Sequence, residues 1–373
     1  MKYTLSLIVP CYNEAGTIET CINRILGTFL KQSLALEVIV VDDASTDGSF
    51  QILEKIASQN SIIRLIKHEK NRGKGAALRS GFVHATGDFV GIQDADVEYD
   101  PQDYLVMLEP LVDGRADVVY GSRYLRPDTR RVLYYWHTWM NKTLTRLSNM
   151  FTNLDLTDVE TCYKLFRREI IQKIAPQLKE EHFGFDPEVT ALVSQLHCRV
   201  YECSISYNPR TYEEGKKIGW KDGFRALYCI FHYSAHTAPL PMQILIYFFI
   251  GLVSLFVNMT FFIVLTRLGI FLSQAIIISF IMAAICNYLL CISILFRHKA
   301  RWNTGMELFW YFFSVFIMGL LDYYVTRSLI TIVPFFTLHW SGAKFISSII
   351  GFIFNFALRR VLVFSEKKNG KRQ

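Results

Sequence analysis

The stretch Phe89-Val90-Gly91-Ile92-Gln93-Asp94-Ala95-Asp96-Val97-Glu98 decides how the rest of the chain is read. A short apolar run, of a length suited to a buried strand, ends on three acidic residues at alternate positions. In an open α/β sheet, ligands bind in the crevice at the carboxyl ends of the strands. Hard oxygen ligands there suit a divalent cation that keeps coordination positions for substrate phosphates. Asp94, Asp96 and Glu98 are therefore expected to serve a diphosphate. A lone Asp-x-Asp is a weak signal, because any acidic loop supplies one. The strand before it and the helix start at Asp100-Pro101 behind it strengthen the reading.

Working outward, apolar runs at 5–9, 36–41, 62–66, 89–93 and 117–121 read as strands. Helical stretches fall between them at 17–29, 49–58, 76–84 and 101–111. Short strands spaced by helices predict an α/β domain with a parallel or mostly parallel sheet. Polar residues gather at the strand ends: Pro10, Tyr12 and Glu14 after the first, and Asp42, Asp43, Ser45 and Asp47 after the second. Carboxylates there suit ribose hydroxyls or a base edge, and Tyr12 suits stacking. Read alone, Asp-Asp-x-Ser is equally a turn with a helix cap at Ser45 or Thr46. Asn71-Arg72-Gly73-Lys74-Gly75 precedes a helix and suits a phosphate at its N-terminus; a plain tight turn is the alternative. It lacks the Ser or Thr after Lys that a Walker A loop requires.

The chain has 373 residues, 51% of them hydrophobic, and a net charge of +7. Its mean hydropathy is +0.22, and the excess lies beyond about Pro239. One soluble and one membrane domain are expected. Four stretches, 242–266, 270–296, 306–330 and 340–364, reach the roughly 20 apolar residues that a span needs. The second inter-span loop carries Arg297, Lys299 and Arg301, and the C-terminal end carries Arg359, Arg360, Lys367, Lys368, Lys371 and Arg372. The first outer loop has only Arg267. The positive-inside rule and the even span count then both put the N-terminal domain and the C-terminus in the cytoplasm. The short apolar run 4–9 reads as a first strand and not as a signal peptide, because Pro10 to Glu14 follow at once with no small-residue cleavage site. Asp322, inside the third span, is a functional candidate or a residue near the membrane surface.

Segments 131–153 and 219–236 mix Trp, Tyr and Phe with Lys and Arg, as helices at the headgroup level do. An ordinary core-facing helix is the alternative. The 8 cysteines show no Cys-x-x-Cys spacing and read as reduced thiols. No basic stripe with interleaved aromatics lies outside the membrane-flanking segments, so nucleic acid is not expected as a partner.

Val-Pro-Cys-Tyr-Asn-Glu (9–14), Val-Asp-Asp-Ala-Ser-Thr-Asp (41–47), Asn-Arg-Gly-Lys-Gly-Ala-Ala-Leu (71–78), Asp-Ala-Asp (94–96) and Gly-Ser-Arg (121–123) together resemble family 2 glycosyltransferases of the GT-A fold. The resemblance is strongest to the branch that makes polyprenyl-phosphate sugars, such as dolichyl-phosphate mannose synthase. The spans resemble a GtrA-like four-helix membrane domain, ending in Asn355-Phe356-Ala357-Leu358-Arg359-Arg360. The implied layout is a glycosyltransferase domain over 1–237, an all-α transmembrane domain over 238–365 and a basic tail over 366–373.

The resemblance implies roles residue by residue. Pro10, Tyr12, Glu14, Asp42, Asp43, Lys74, Asp94 and Ala95 would hold the nucleotide. Asp94, Asp96 and Glu98 would hold Mg²⁺ or Mn²⁺, with Gln common among relatives where Glu98 stands. Arg123 would contact the acceptor phosphate, and Asp158 and Lys164 fall in the family's Asp-x-x-x-(Cys/Gly)-(Tyr/Phe)-Lys-like stretch. Glu188, and Arg210 with Lys216 and Lys217 on a loop closing over the diphosphate, complete the site, with Arg131 and His137 nearest an acceptor-binding arginine of relatives. Asp96, Arg123 and Arg210 would carry catalysis.

The implied reaction is inverting transfer of a hexose to dolichyl or undecaprenyl phosphate, giving a β-linked lipid phosphate sugar. GDP-mannose is the expected donor and UDP-glucose the alternative. A phosphate monoester with a second pKa of about 6 is already ionised at neutral pH and needs little general-base help. The protein must instead neutralise and position two anions. An integral protein of a prokaryotic plasma membrane is expected. A processive polysaccharide synthase is a rival, but the chain has no Gln-x-x-Arg-Trp motif late in its soluble part. The membrane half is open between anchoring, holding an oligomer together and translocating the product.

Overall fold

The structure is a computed structural model that describes residues 3–29, 34–125, 131–209, 220–295 and 304–335, and individually 346, 350, 354, 356 and 358. The chain divides into two compact units, Met1–Pro239 and Leu240–Gln373.

The first unit is a seven-stranded sheet with helices. The strands are β1 (Thr4–Cys11), β2 (Ala35–Asp42), β3 (Ile63–Lys67), β4 (Phe89–Ile92), β5 (Val118–Ser122), β6 (Lys164–Arg167) and β7 (Val200–Ser204). Their order is β3-β2-β1-β4-β6-β5-β7. The pairs β1–β2, β2–β3, β1–β4 and β5–β7 are parallel, while β6 runs antiparallel to both β4 and β5. The order reverses at β1, which has β2 on one side and β4 on the other; such a switch point opens a crevice at the strand ends.

Apolar runs make the central strands because both faces are covered: Leu5, Leu7, Ile8 and Val9 of β1 and Val38 to Val41 of β2 are fully buried. Helix α1 (Ile18–Phe29) buries Ile18, Cys21, Ile22, Ile25, Leu26 and Phe29, the spacing of one helical stripe. Helix α2 (Ser49–Gln59) follows β2, and α3 (Lys74–His84) follows β3. Gly81 of α3 lets the helix lie against Ile8, whose side chain a Cβ there would strike. Helix α4 is Asp103–Val112, α5 Tyr135–Thr152, α6 Arg168–Ile174, α7 Phe185–Gln195 and α8 Trp220–Ser234. The stacked helices α5 and α8 share a Phe151–Phe231 edge contact at 4.9 Å. Val132, Tyr134, Tyr135, Trp136 and Trp139 are exposed on or before α5, as are Phe224, Tyr228 and Phe231 on α8.

The mixed sheet corrects the sequence reading in one respect: β6 and β7 are two further strands. Lys-Leu-Phe-Arg and Val-Tyr-Glu-Cys-Ser have no long apolar run or clean alternation, and their pairing comes from distant partners.

The second unit contains α9 (Leu240–Arg267), α10 (Leu272–Leu290) running into a π turn at Cys291–Leu295, and α11 (Thr304–Ile332). Among the described residues one helix, Leu240–Leu265, is long and apolar enough to cross a membrane. Shorter apolar helical stretches are Ile281–Leu295 and Phe309–Met318. Asn287 Nδ2 donates to Ser254 Oγ at 3.0 Å, and the Tyr311 hydroxyl donates to the Ala284 carbonyl at 3.0 Å, so polar side chains tie these helices together. Most of the expected fourth span, the basic loop at 297–301 and the 366–373 tail lie outside the described residues, as does the side chain of Asp322.

Candidate active site

Three loops leave the carboxyl ends of β1, β2 and β4, and hydrogen bonds lace the first two to each other. Asn13 N donates to Ser45 Oγ at 3.0 Å, Thr46 N donates to Asn13 Oδ1 at 2.8 Å, and Glu14 N donates to Ser49 Oγ at 2.9 Å. Ala15 N donates to Asp47 Oδ2 at 2.9 Å. Each loop also holds one non-glycine residue at positive φ: Asn13 at 53°, Ala44 at 61° and Val97 at 63°. For a β-branched residue such as Val97 this is strained backbone, which persists only where the surroundings impose it and which gathers at functional sites.

The two aspartates after β2 differ. Asp43 is buried and used by the protein itself: it accepts from Arg72 N at 3.0 Å and Gly73 N at 2.6 Å, and pairs with His68 Nδ1 at 2.6 Å. It fixes the Gly-rich turn in place. Asp42 accepts from Ser45 N at 3.2 Å through Oδ2, while Oδ1 is a buried acceptor without a donor. Such an atom is costly unless a ligand N–H or O–H meets it. Tyr12 is 40% exposed, Pro10 is half-buried, and Glu14 accepts from Thr17 Oγ1 at 2.8 Å.

Lys74 opens α3 and reaches Asp94, 2.8 Å from Oδ1 and 3.0 Å from Oδ2. Burial works against its charge, but the Asp94 carboxylate holds it well above its ordinary pKa. Asp96 Oδ1 accepts from Glu98 N at 3.3 Å. Glu98 turns to Tyr207, whose hydroxyl donates to Oε2 at 2.9 Å, and Asn208 N donates to its carbonyl at 2.9 Å. Behind this loop, the ring of Tyr99 stacks on Tyr163 at 4.7 Å, and Tyr163 OH donates to Gln93 Oε1 at 2.6 Å. Ala95 is buried.

Among the described residues no three His, Cys, Asp or Glu side chains gather into a metal cage. Asp94 and Asp96 still fit Mg²⁺ or Mn²⁺, which need only one or two carboxylates beside a diphosphate. Glu98 is the member of the acidic trio that Tyr207 engages.

Arg123, at the end of β5, is 8% exposed and forms a fork with Asp158: Nε–Oδ2 and Nη2–Oδ1 are both 2.7 Å. Burial opposes its charge, and Asp158 raises its pKa well above the ordinary value. Its guanidinium lies 5.1 Å from the Tyr207 ring centre. Lys164 is fully buried against Asp186 and the Thr161 carbonyl. Asp186 was not singled out in the sequence; its only local signal is an acidic residue in the first turn of α7. Glu188, by contrast, accepts from Lys179 N at 2.8 Å and Glu180 N at 2.9 Å and holds that segment's backbone. Arg131 Nη1 donates to the Pro209 carbonyl at 2.9 Å, and His137 is half-buried on α5. Arg210, Lys216 and Lys217 lie outside the described residues.

All eight cysteines are free. Burial, then the Asp42 and Glu14 charges, push the Cys11 thiol up to about 12, so it is no nucleophile at neutral pH.

Glu160 sits between the two buried ion pairs in sequence, and its Oε1 is buried without a donor. Burial, then the Asp186 charge, push its carboxyl up to about 8. An acid whose pKa is raised on folding favours the folded state below its unfolded pKa of about 4.3 and loses that advantage as pH rises toward 8. Glu160→Gln is therefore expected to match the parent in thermal stability at pH 4.5 and to exceed it increasingly up to pH 8. Parallel melting curves across that range check the trend.

Residues 6–175 match the family described as Glycosyl transferase family 2, and residues 246–364 match the GtrA/DPMS transmembrane domain. Among curated proteins, the chain is 30% identical to the dolichyl-phosphate beta-glucosyltransferase of Saccharomyces cerevisiae, over 55% of this chain and 66% of that protein. It is 25% identical to the dolichol-phosphate mannosyltransferase of Pyrococcus furiosus, over 71% of this chain and 73% of that one. It is 28% identical to the glycosyltransferase AglD of Haloferax volcanii, over 55% of this chain and 33% of that protein. The chain thus spans less than two thirds of the length of AglD and of the yeast protein. A solved structure of glucosyl-3-phosphoglycerate synthase from Mycobacterium tuberculosis aligns with a TM-score of 0.48 at 19% identity, over 64% of this chain and 81% of that one.

Proposed function

We propose that this chain, which joins a family 2 glycosyltransferase domain to a GtrA/DPMS transmembrane domain, transfers a hexose from a nucleotide sugar to a polyprenyl phosphate. The observation that carries the reading is the placement of Asp94 and Asp96 at the switch point of the sheet, in a chain that also has a membrane domain. Two relatives named for different sugars share a dolichyl-type phosphate in their names, which supports the acceptor more than the donor. GDP-mannose remains the first donor to test and UDP-glucose the second.

In this reading Asp42 receives an N–H or O–H of the nucleoside through Oδ1, and Tyr12 covers it. The Gly-rich turn, fixed by Asp43, presents Lys74 to the diphosphate. Asp94 and Asp96 would hold Mg²⁺ or Mn²⁺, which when bound supplies positive charge against the leaving diphosphate. Arg123 serves the anionic acceptor, while Arg210, with Lys216 and Lys217, closes over the diphosphate. Direct attack by the ionised acceptor inverts the anomeric carbon and needs no carboxylate base. The exposed aromatics of α5 and α8 rest at the headgroup level, where the acceptor phosphate lies. The cytoplasmic placement of this half follows from the basic residues of the loops.

The test incubates the purified full chain with polyprenyl phosphate, Mg²⁺ or Mn²⁺ and labelled GDP-mannose or UDP-glucose in turn. Label that partitions into organic solvent as an acid-labile lipid phosphate sugar is expected with one donor. Its absence with every common nucleotide sugar would falsify the reading.

A further inference from the structure

We propose that Glu180 is a positioning residue for the donor diphosphate, linking α8 to the Gly73–Gly75 turn. The proposal rests on the donor reading above. Glu180 is 4% exposed and lies on the segment between α6 and α7, away in sequence from the strand-end carboxylates. Its carboxylate is occupied from α8: Arg225 Nε lies 3.0 Å from Oε2, and Arg225 Nη2 lies 2.9 Å from Oε1 and 2.8 Å from Oε2. The Tyr233 hydroxyl donates to Oε1 at 2.8 Å. Arg225, Cys229 and Tyr233 recur at four-residue spacing, so one carboxylate engages one face of α8 over two turns. The Cys229 sulfur packs where a side chain on Gly184 would stand, which closes that face further.

The backbone of the same segment is held from two other sides. Glu188 accepts from Lys179 N and Glu180 N. The Glu181 carbonyl accepts from Ala76 N at 3.2 Å, in the first turn of α3. A Cβ on Gly73 would strike the Glu181 carbonyl oxygen, and a Cβ on Gly75 would strike that of Glu180. Both glycines are thus required by contact with this segment, and Gly73 also by its φ of 95°. Lys74 stands between them and pairs with Asp94 at 2.8 Å. A continuous set of contacts therefore runs from α8 through Glu180 and the 180–181 backbone to Lys74.

A nearly buried carboxylate matched to a half-exposed arginine is an inefficient way to add stability, because the desolvation of the acid offsets the attraction. It is an effective way to fix geometry, since Arg and carboxylate forks are directional. α8 is also the last α-helix before α9, and it carries the exposed Phe224, Tyr228 and Phe231. Glu180 thus makes the seat of the diphosphate depend on where α8 stands.

The test uses the full chain in detergent and titrates UDP and GDP, each with Mn²⁺, by calorimetry, beside steady-state kinetics with the donor that the parent uses. Glu180→Gln is expected to weaken the tighter nucleoside diphosphate about tenfold and to raise the donor KM equally, with kcat within about twofold. Arg225→Gln should do the same, the double variant should be no worse than either single one, and Arg225→Lys should recover part of the loss. Melting curves identify any variant that fails to fold; Arg225→Gln, which alters the exposed partner, then serves alone. Unchanged affinity and KM, or a fall confined to kcat and stability, overturns the proposal. A parent that binds neither nucleotide and transfers no sugar overturns the donor reading itself, a different outcome.

Discussion

Asp96→Asn in the purified chain lowers sugar transfer by about a thousandfold or more, with its fold and melting temperature nearly unchanged. The substitution keeps an oxygen at the Oδ1 position, so the bond from Glu98 N that shapes the turn survives. It removes only the negative charge. Asp96 is half-buried on a loop held in strained backbone at Val97, and the isosteric amide keeps its volume. Asp94 offers a less clean experiment, because its replacement also strands Lys74, whose raised pKa depends on that partner. Glu98→Gln supplies the contrast. Its carboxylate accepts from Tyr207 at 2.9 Å, and an amide oxygen accepts the same bond, so a loss of no more than about tenfold is expected. Initial rates over a Mn²⁺ titration separate the two: Asp96→Asn stays inactive at saturating metal, and Glu98→Gln approaches the parent. Equal behaviour of the two variants would mean that the acidic trio acts as one set, contrary to the observed geometry.

Much of the sheet around the switch point was legible because its signals are local. β1, β2 and β4 are apolar runs buried on both faces, and their ends carry the polar residues that a switch point needs. β6 was not legible: Lys164 to Arg167 becomes a strand because β4 and β5 flank it, and its pairing to Phe89 and Val118 spans tens of residues. The same limit applies within the site. Asp43 and Glu188 accept from backbone N–H groups 29 and 8 positions away, partners that no local pattern announces. Asp42, its neighbour, keeps the buried acceptor. No spacing rule separates adjacent aspartates whose difference lies in which partner the fold brings. Glu180 and Asp186 went unread for the same reason: each is defined by a cation from a different element.

Arg123→Met is expected to destabilise the glycosyltransferase half by about 3–5 kcal/mol, because it leaves Asp158 charged, fully buried and short of its partner. Asp158 would keep one bond from the backbone N of residue 123 at 3.1 Å and the steric support of a segment whose Thr157 and Asp158 N–H groups Glu202 already holds. Neither replaces the fork. Asp158→Leu alone should cost a similar amount, since it leaves a guanidinium that is 8% exposed without its fork, beside the Tyr207 and Tyr124 rings. The pair replaced together, Arg123→Met with Asp158→Leu, should recover most of the stability, as apolar pairs of similar volume do at buried ion-pair sites. Melting temperature tests that non-additivity. Activity then decides what the pair is for. If Arg123 only builds the wall of the site, the double variant regains transfer along with stability. If its charge serves the anionic acceptor, the double variant folds and still transfers sugar at least a hundredfold more slowly, with the deficit in kcat/KM for the polyprenyl phosphate and not in donor KM. The second outcome is the expected one. The Tyr207 hydroxyl holds Glu98 while its ring lies 5.1 Å from the guanidinium, so one side chain links the acidic loop to this cation.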